Sequence, residues 1–391
     1  MYNIKTLNKI SEKGLKYFSD SKYTVSDSVE NPDAIILRSF SMHDMELPES
    51  LLAVGRAGAG VNNIPIDKCA EKGIVVFNTP GANANAVKEL TVLGLLIASR
   101  KVCDGVEWAK TLKDDPDAAK KTEKGKGQFA GPEIMGKKLA VIGLGAIGVM
   151  VANAAYNLGM DVLGYDPYIS VKAALGLSRH VELVQDLKTL LSDADYVSIH
   201  VPLLPDTKGM ISEELISYMK DGVRILNFAR GPLVDFEAVK KALQSGKAAA
   251  YVTDFPDTDT LSLPNTVCIP HLGASTNESE ENCAEMAAKE IIDFLENGNI
   301  TNSVNYPNCE LAREDGVRIT VAHKNIPNML SRFSGLLADN GVNIENLVNK
   351  SKKEFAYTIL DIGADTPEKT IDEVVKEIKK INDVLAVRVI R

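Results

Sequence analysis

Between residues 137 and 275 the chain repeats one pattern six times, a short apolar run that stops on glycine or a polar residue. The runs are "KKLAVIGLG", "DVLGYD", "YVSIHVP", "VRILNFARG", "AAYVTDF" and "TVCIPHLG". Unbroken apolar runs separated by helix-length segments are how strands buried on both faces of a parallel sheet read. In such a doubly wound sheet, ligands lie outside the carboxyl ends of the strands. Gly145, Asp166, His200, Arg230, Asp254 and His271 are thereby brought to one edge. Each residue alone reads equally as a cap or a turn; the recurrence at six run ends is the signal.

The first run leads into "LAVIGLGAIGVMVANAAYNLGMDVLGYDP". Here Gly143, Gly145 and Gly148 permit a tight turn, close backbone approach to a pyrophosphate, and close packing of the next helix. That helix aims free N–H groups at phosphate. Asp166 ends the next run, where a carboxylate accepts hydrogen bonds from a ribose diol and repels a 2′-phosphate. The spacing predicts NAD as cofactor, in preference to NADP.

A length of 391 residues predicts two or three domains. The net charge of −9 argues against general binding to nucleic acid or anionic membranes and leaves a small-molecule substrate as the partner. Cys69, Cys103, Cys268, Cys283 and Cys309 show no paired spacing, so they read as reduced thiols, with no metal site implied. No signal-peptide core and no long apolar span occurs. A cytoplasmic location is expected.

Before residue 100, "AIILRS", "LLAVGRAGAG" and "GIVVFNTPG" suggest a smaller α/β unit, and "NANAVKELTVLGLLIASRKV" has helical spacing. After the helix "NCAEMAAKEIIDFLENGNI", a polar stretch reads as a linker. The last 75 or so residues follow the order βαββαβ, a small independent domain.

A nicotinamide enzyme needs an acid–base group beside the carbon that exchanges hydride, and a fixed cation for an anionic substrate. Of five histidines, His43 and His180 read as surface residues. His271, at a run end in "IPHLGAST", is the better acid–base. Arg230 follows a buried run, where a lone guanidinium requires an anion such as a substrate carboxylate.

Together "GLGAIG" with Asp166, "NFARGPLVD" and "PHLGAST" resemble the D-2-hydroxyacid dehydrogenases, from the N-terminus to about residue 305. "LRS", "GRAGAGVNNI" and "NTPGAN" narrow the resemblance to members oxidising D-3-phosphoglycerate to 3-phosphohydroxypyruvate, the first step of L-serine formation. The tail is similar to an ACT domain. The resemblance implies two Rossmann- or flavodoxin-like doubly wound α/β domains plus this tail. Their limits would be 1–95 with 283–305 for a split substrate domain, 96–282 for the NAD domain, 306–315 for a linker and 316–391 for the tail. A homodimer or homotetramer is implied as well.

By the same resemblance, Arg230 and His271 are catalytic. Arg38, Ser39, Arg56, Ala57 and Gly58 join them on the substrate. Gly143, Gly145, Ala146, Ile147, Gly148 and Asp166 hold the adenosine half of NAD, with His200, Val201, Pro202 and Thr207 nearby, while Phe228, Ala229 and Asp254 face the nicotinamide. The family pairs its histidine with a glutamate that "TDFPDTDT" lacks. Asp254, Asp257 and Asp259 are the substitutes. Asp257 is assigned to the histidine and Asp254 to the cofactor, with the two able to exchange roles. In the tail, His323, Asn325 and Asn343 match the L-serine positions of serine-inhibited relatives, although Asn328 stands where those relatives have glycine. The rivals are a glyoxylate or hydroxypyruvate reductase, and an NAD-sensing binding protein without turnover.

Overall fold

The computed structural model describes residues 1–391. Strands β1 (Tyr2–Leu7), β2 (Tyr23–Ser26), β3 (Ala34–Leu37), β4 (Ala53–Arg56) and β5 (Val75–Asn78) form a parallel sheet in the order β2-β1-β3-β4-β5. Ala34 to Leu37 are all fully buried, which is why β3 shows no alternation.

Helix α1 (Ala84–Ser99) precedes a second sheet. Its strands are β6 (Lys138–Ile142), β7 (Asp161–Tyr165), β8 (Glu182–Leu183), β9 (Tyr196–Ile199), β10 (Val223–Asn227), β11 (Ala248–Thr253) and β12 (Thr266–Cys268). All pair in parallel, in the order β12-β11-β10-β9-β6-β7-β8. The six apolar runs supply every strand but the two-residue β8. Strand order reverses at β6, so the glycine loop and α2 (Ala146–Asn157) stand at the switch point, where such sheets bind ligands.

After α3 (Asn277–Asn297), the tail runs β13 (Val317–Lys324), α4 (Met329–Asp339), β14 (Ile344–Lys352), β15 (Phe355–Ile362), α5 (Glu368–Lys379), β16 (Val384–Ile390). Its sheet is antiparallel, ordered β14-β15-β13-β16. No helix is long and apolar enough to cross a membrane.

The chain divides into two compact units, 1–83 with 280–391, and 84–279. This departs from the expected limits at 95 and 283, because α1 packs whole with the second sheet through Val87, Leu95 and Ala98. Nor is the tail independent. One face of its sheet is closed by α4 and α5 over Ile319, Val321 and Leu360. The other sends Ala322, Tyr357 and Ile359 into the core that holds Ile4, Phe77, Ile291 and Phe294. A sheet apolar on both faces must cover both. The supposed linker is likewise packed: the fully buried Tyr306 donates to the Ala70 carbonyl at 2.7 Å, and Cys309 and Ile300 exchange two backbone bonds of 2.9 Å.

Candidate active site

Two glycines of the β6 loop are required by the protein's own packing. Gly143 has φ +91°, and a Cβ there would meet the His200 carbonyl carbon at 2.8 Å; at Gly148 it would meet the Gly143 oxygen at 1.9 Å. Gly145 differs. Its φ is −75° and a Cβ would find nothing within 4 Å, so the space it leaves is open. That space fronts the N-terminus of α2, whose N–H groups no side chain caps. An open cradle on uncapped donors fits a pyrophosphate.

Asp166 is fixed beside this loop, accepting from the Leu144 N–H and the Tyr168 N–H at 2.9 Å each. Each oxygen keeps a lone pair for a ribose hydroxyl. Beyond β9, His200 pairs its Nε2 with Ser198 Oγ at 2.8 Å, and burial pushes its imidazolium down to about 4. It is neutral near pH 7 and supplies no positive charge to the site. The Thr207 hydroxyl donates to the Pro202 carbonyl at 2.7 Å and accepts the Leu204 N–H at 2.8 Å, pinning the turn after Val201.

At the end of β10, Phe228 is buried, Ala229 half-buried and Arg230 exposed. Asn227 braces this turn from inside the core. Its amide donates to the Arg230 carbonyl at 2.8 Å and accepts the Ala229 N–H at 3.2 Å. The sequence hides Asn227 as the last letter of an apolar run; a fully buried amide at a strand end is the signal that exposes it.

His271 is exposed and left-handed, φ +45°, a conformation that costs a non-glycine residue about 1–3 kcal/mol and persists only where neighbours impose it. Asp254 and Ile269 are such neighbours: their carbonyls share the His271 N–H at 3.0 and 2.9 Å, and Asp254 Oδ2 accepts the Gly273 N–H at 2.9 Å. Gly273 is needed for this approach, since a Cβ there would lie 3.0 Å from Oδ2. Asp254 is 1% exposed and its Oδ1 has no partner. Burial raises its carboxyl above the usual range, and the Gly273 N–H and the charges of His271 and Arg230 pull it back. Phe255 lies against the imidazole, ring centroids 5.1 Å apart.

Asp257, expected to pair with His271, is exposed and caps the Thr260 N–H at 2.7 Å, and this bond holds it below the usual carboxylate range. It shares a cavity of about 560 Å³ with His271, Asp254 and Asp259, but none of the three carboxylates hydrogen-bonds the imidazole. One Asp257 oxygen is instead engaged three residues along the chain, at the start of the short 3-10 turn Thr260–Ser262.

In the first unit, Arg38 follows β3 and Arg56 ends the neighbouring parallel strand β4, Leu37 opposite Arg56. Arg56 Nε donates to the Arg38 carbonyl at 3.1 Å, and its guanidinium lies over Gly58, where a Cβ would come within 1.6 Å. Arg38 pairs with Glu280 at 2.5 Å. Asn63, unforeseen, ties the Arg38 and Phe40 carbonyls at 3.2 and 2.7 Å. Ser39 is exposed and Ala57 buried.

In the tail, the three expected effector positions differ in exposure. His323 is 2% exposed, with Nδ1 2.8 Å from the Lys324 carbonyl and Nε2 2.9 Å from Thr358 Oγ1. Both ring nitrogens are thus engaged within the tail's own sheet. Asn325 and Asn343 are exposed, and Asn325 donates to the Lys353 carbonyl at 3.0 Å.

Comparison with known proteins places this geometry. Residues 95–273 match the NAD-binding domain of D-isomer specific 2-hydroxyacid dehydrogenases, and 319–386 match an acetohydroxyacid synthase small subunit-like ACT domain. D-3-phosphoglycerate dehydrogenase of Escherichia coli is 34% identical over 88% of this chain and 82% of its own. That of Methanocaldococcus jannaschii is 37% identical over 74% of this chain and 54% of its own, so the chain spans about half the length of that relative. The solved NAD+-bound 3-phosphoglycerate dehydrogenase of Entamoeba histolytica aligns with TM-score 0.61 at 26% identity, covering 78% of this chain and 98% of the other. The chain belongs to the D-isomer specific 2-hydroxyacid dehydrogenase family, with an NAD-binding second unit and an ACT-type tail.

Proposed function

We propose that the protein oxidises D-3-phosphoglycerate to 3-phosphohydroxypyruvate, reversibly, as the first step of L-serine formation. NAD, which the glycine loop and Asp166 would hold, would supply the acceptor for the C2 hydride. The His271 imidazole receives the C2 hydroxyl proton and returns it in reverse. Arg230 holds the substrate carboxylate and polarises the C2 oxygen. Arg38 and Arg56 take the remaining negative charge, the phosphate. The observation that carries this reading is that pair of guanidiniums at adjacent strand ends of the first unit: two such cations suit a phosphorylated acid better than glyoxylate or pyruvate. The names of the E. coli and E. histolytica relatives support it.

The test is NADH oxidation with 3-phosphohydroxypyruvate, glyoxylate and pyruvate side by side. The phosphorylated acid is expected to lead in kcat/KM by at least about 10²-fold, the scale of a lost bidentate charge pair. Equal rates would return the protein to the general reductases, and no rate with any acid would leave a binding protein. We further assign Asn325 and Asn343 to L-serine in a homo-oligomer. Millimolar serine is expected to slow the wild type and not Asn343→Ala.

A further inference from the structure

We propose that Asn63 is the positioning residue of the phosphate pair: it holds Arg38 beside Arg56, and through that placement sets the preference for a phosphorylated acid. The inference rests on the reading above, in which these two guanidiniums take the substrate phosphate.

The two arginines are held differently. Arg56 is the last residue of β4, and the loop after it is tied to both neighbouring strand ends. The Ala57 N–H donates to the Leu37 carbonyl at 2.7 Å, the Thr79 N–H to the Gly58 carbonyl at 3.2 Å, and Asn78 Nδ2 to the Ala59 carbonyl at 2.6 Å. Arg38 lies one residue past β3, on a loop laced to Asn63. Asn63 meets that loop at every second position: its Nδ2 donates to the carbonyls of Arg38 and Phe40 at 3.2 and 2.7 Å, and its own carbonyl accepts the Met42 N–H at 2.8 Å. The Arg38 carbonyl also accepts Arg56 Nε at 3.1 Å, so one oxygen joins the clamp to both arginines. Asn63 Oδ1 is buried with no donor, and the orientation of the amide is therefore set by its hydrogens on the Arg38 and Phe40 carbonyls. His43 Nε2, 2.9 Å from the Asn62 carbonyl, closes the far end of the loop. A phosphate is gripped best by cations already in place, because ordering a long side chain at the moment of binding costs affinity.

NADH oxidation is followed for the wild type and Asn63→Ala with 3-phosphohydroxypyruvate and with hydroxypyruvate, the same acid without its phosphate, alongside Tm. Asn63→Ala is expected to raise KM for the phosphorylated acid by about tenfold with kcat within about threefold, and to leave kcat/KM for hydroxypyruvate within about twofold. Asn63→Ser, which keeps a donor and loses its reach, is expected to fall between the wild type and Asn63→Ala, and it carries the comparison if Asn63→Ala does not fold. An unchanged KM for the phosphorylated acid in a folded variant overturns the inference. So does an equal loss with both acids, which would make Asn63 general scaffolding. In those two cases the wild type still prefers the phosphorylated acid, and the reading of the arginine pair stands. A wild type without that preference sinks the reading, and the inference with it.

Discussion

Arg318 in the tail and Asp254 in the second sheet are both almost wholly buried, yet their bonding is opposite. Arg318 has five N–H donors and uses all of them: two on Asp361 at 2.7 and 2.8 Å, and one each on the carbonyls of Asn297, Leu311 and Ala312. Asp254 has two carboxyl oxygens and uses one. The first closes the C-terminal end of α3 onto the tail, helped by Arg388 on the Phe294 and Leu295 carbonyls and Tyr357 on that of Gly298. A site whose valences are all filled from within can only stabilise. A site that leaves one open can meet a group that comes and goes.

The largest effect that would sharpen this contrast is at the junction. Arg318→Met strands the Asp361 carboxylate and three carbonyls, and is expected to cost about 3–5 kcal/mol in urea unfolding. Arg318→Met/Asp361→Leu is expected to recover most of that. Because the tail and the first sheet share one core, both should unfold in a single transition. Separate transitions would break the account of a tail built into its unit.

Glu290 comes next, a buried carboxyl that resembles Asp254 in having one oxygen bonded, to Asn302 at 2.7 Å, and one not. Burial raises it to about 8 from its ordinary 4.5. Between those values the unfolded chain has released a proton that the folded chain keeps, so this group makes stability fall as pH rises from about 4.5 to about 8. Glu290→Gln is expected to raise Tm by several degrees above pH 8 and hardly at all near pH 4.5. The same gain at both pH values would mean the carboxyl is not carrying that proton.

The smallest effect is at Arg38, whose partner Glu280 is an exposed carboxylate of the kind a substrate phosphate would displace. Surface pairs contribute about 0–1 kcal/mol, so Glu280→Gln is expected to lower KM for the phosphorylated acid by at most about fivefold, with kcat unchanged. A raised KM would show that Glu280 orients Arg38 instead of competing for it.

Most of the second unit is legible in the sequence because a parallel sheet gathers strand ends on one edge, and Gly145, Asp166, Arg230 and His271 all close apolar runs. What stays hidden is bonding between residues far apart in sequence. The Asp254 grip on Gly273 spans 19 positions and the Arg318–Asp361 pair 43, and no periodicity marks either. Nor does residue type reveal that the Asp257 carboxylate accepts the Thr260 N–H while none of the nearby carboxylates bonds the His271 ring. At His323, likewise, the motif position suggests a ligand and does not reveal that the ring is buried beside Thr358 and Phe333. The stretch after residue 305 looks polar, but Tyr306 and Cys309 are buried and Leu311 packs against the same core.

The central claim is that the exposed imidazole at the open site performs the chemistry, and His271→Ala tests it most directly. NADH oxidation with 3-phosphohydroxypyruvate is measured for the variant and the wild type, alongside Tm. The account predicts a kcat lower by about 10²-fold or more at an unchanged or slightly raised Tm, because the strained residue supports no core. An unchanged kcat in a folded variant would contradict it and remove His271 from the mechanism.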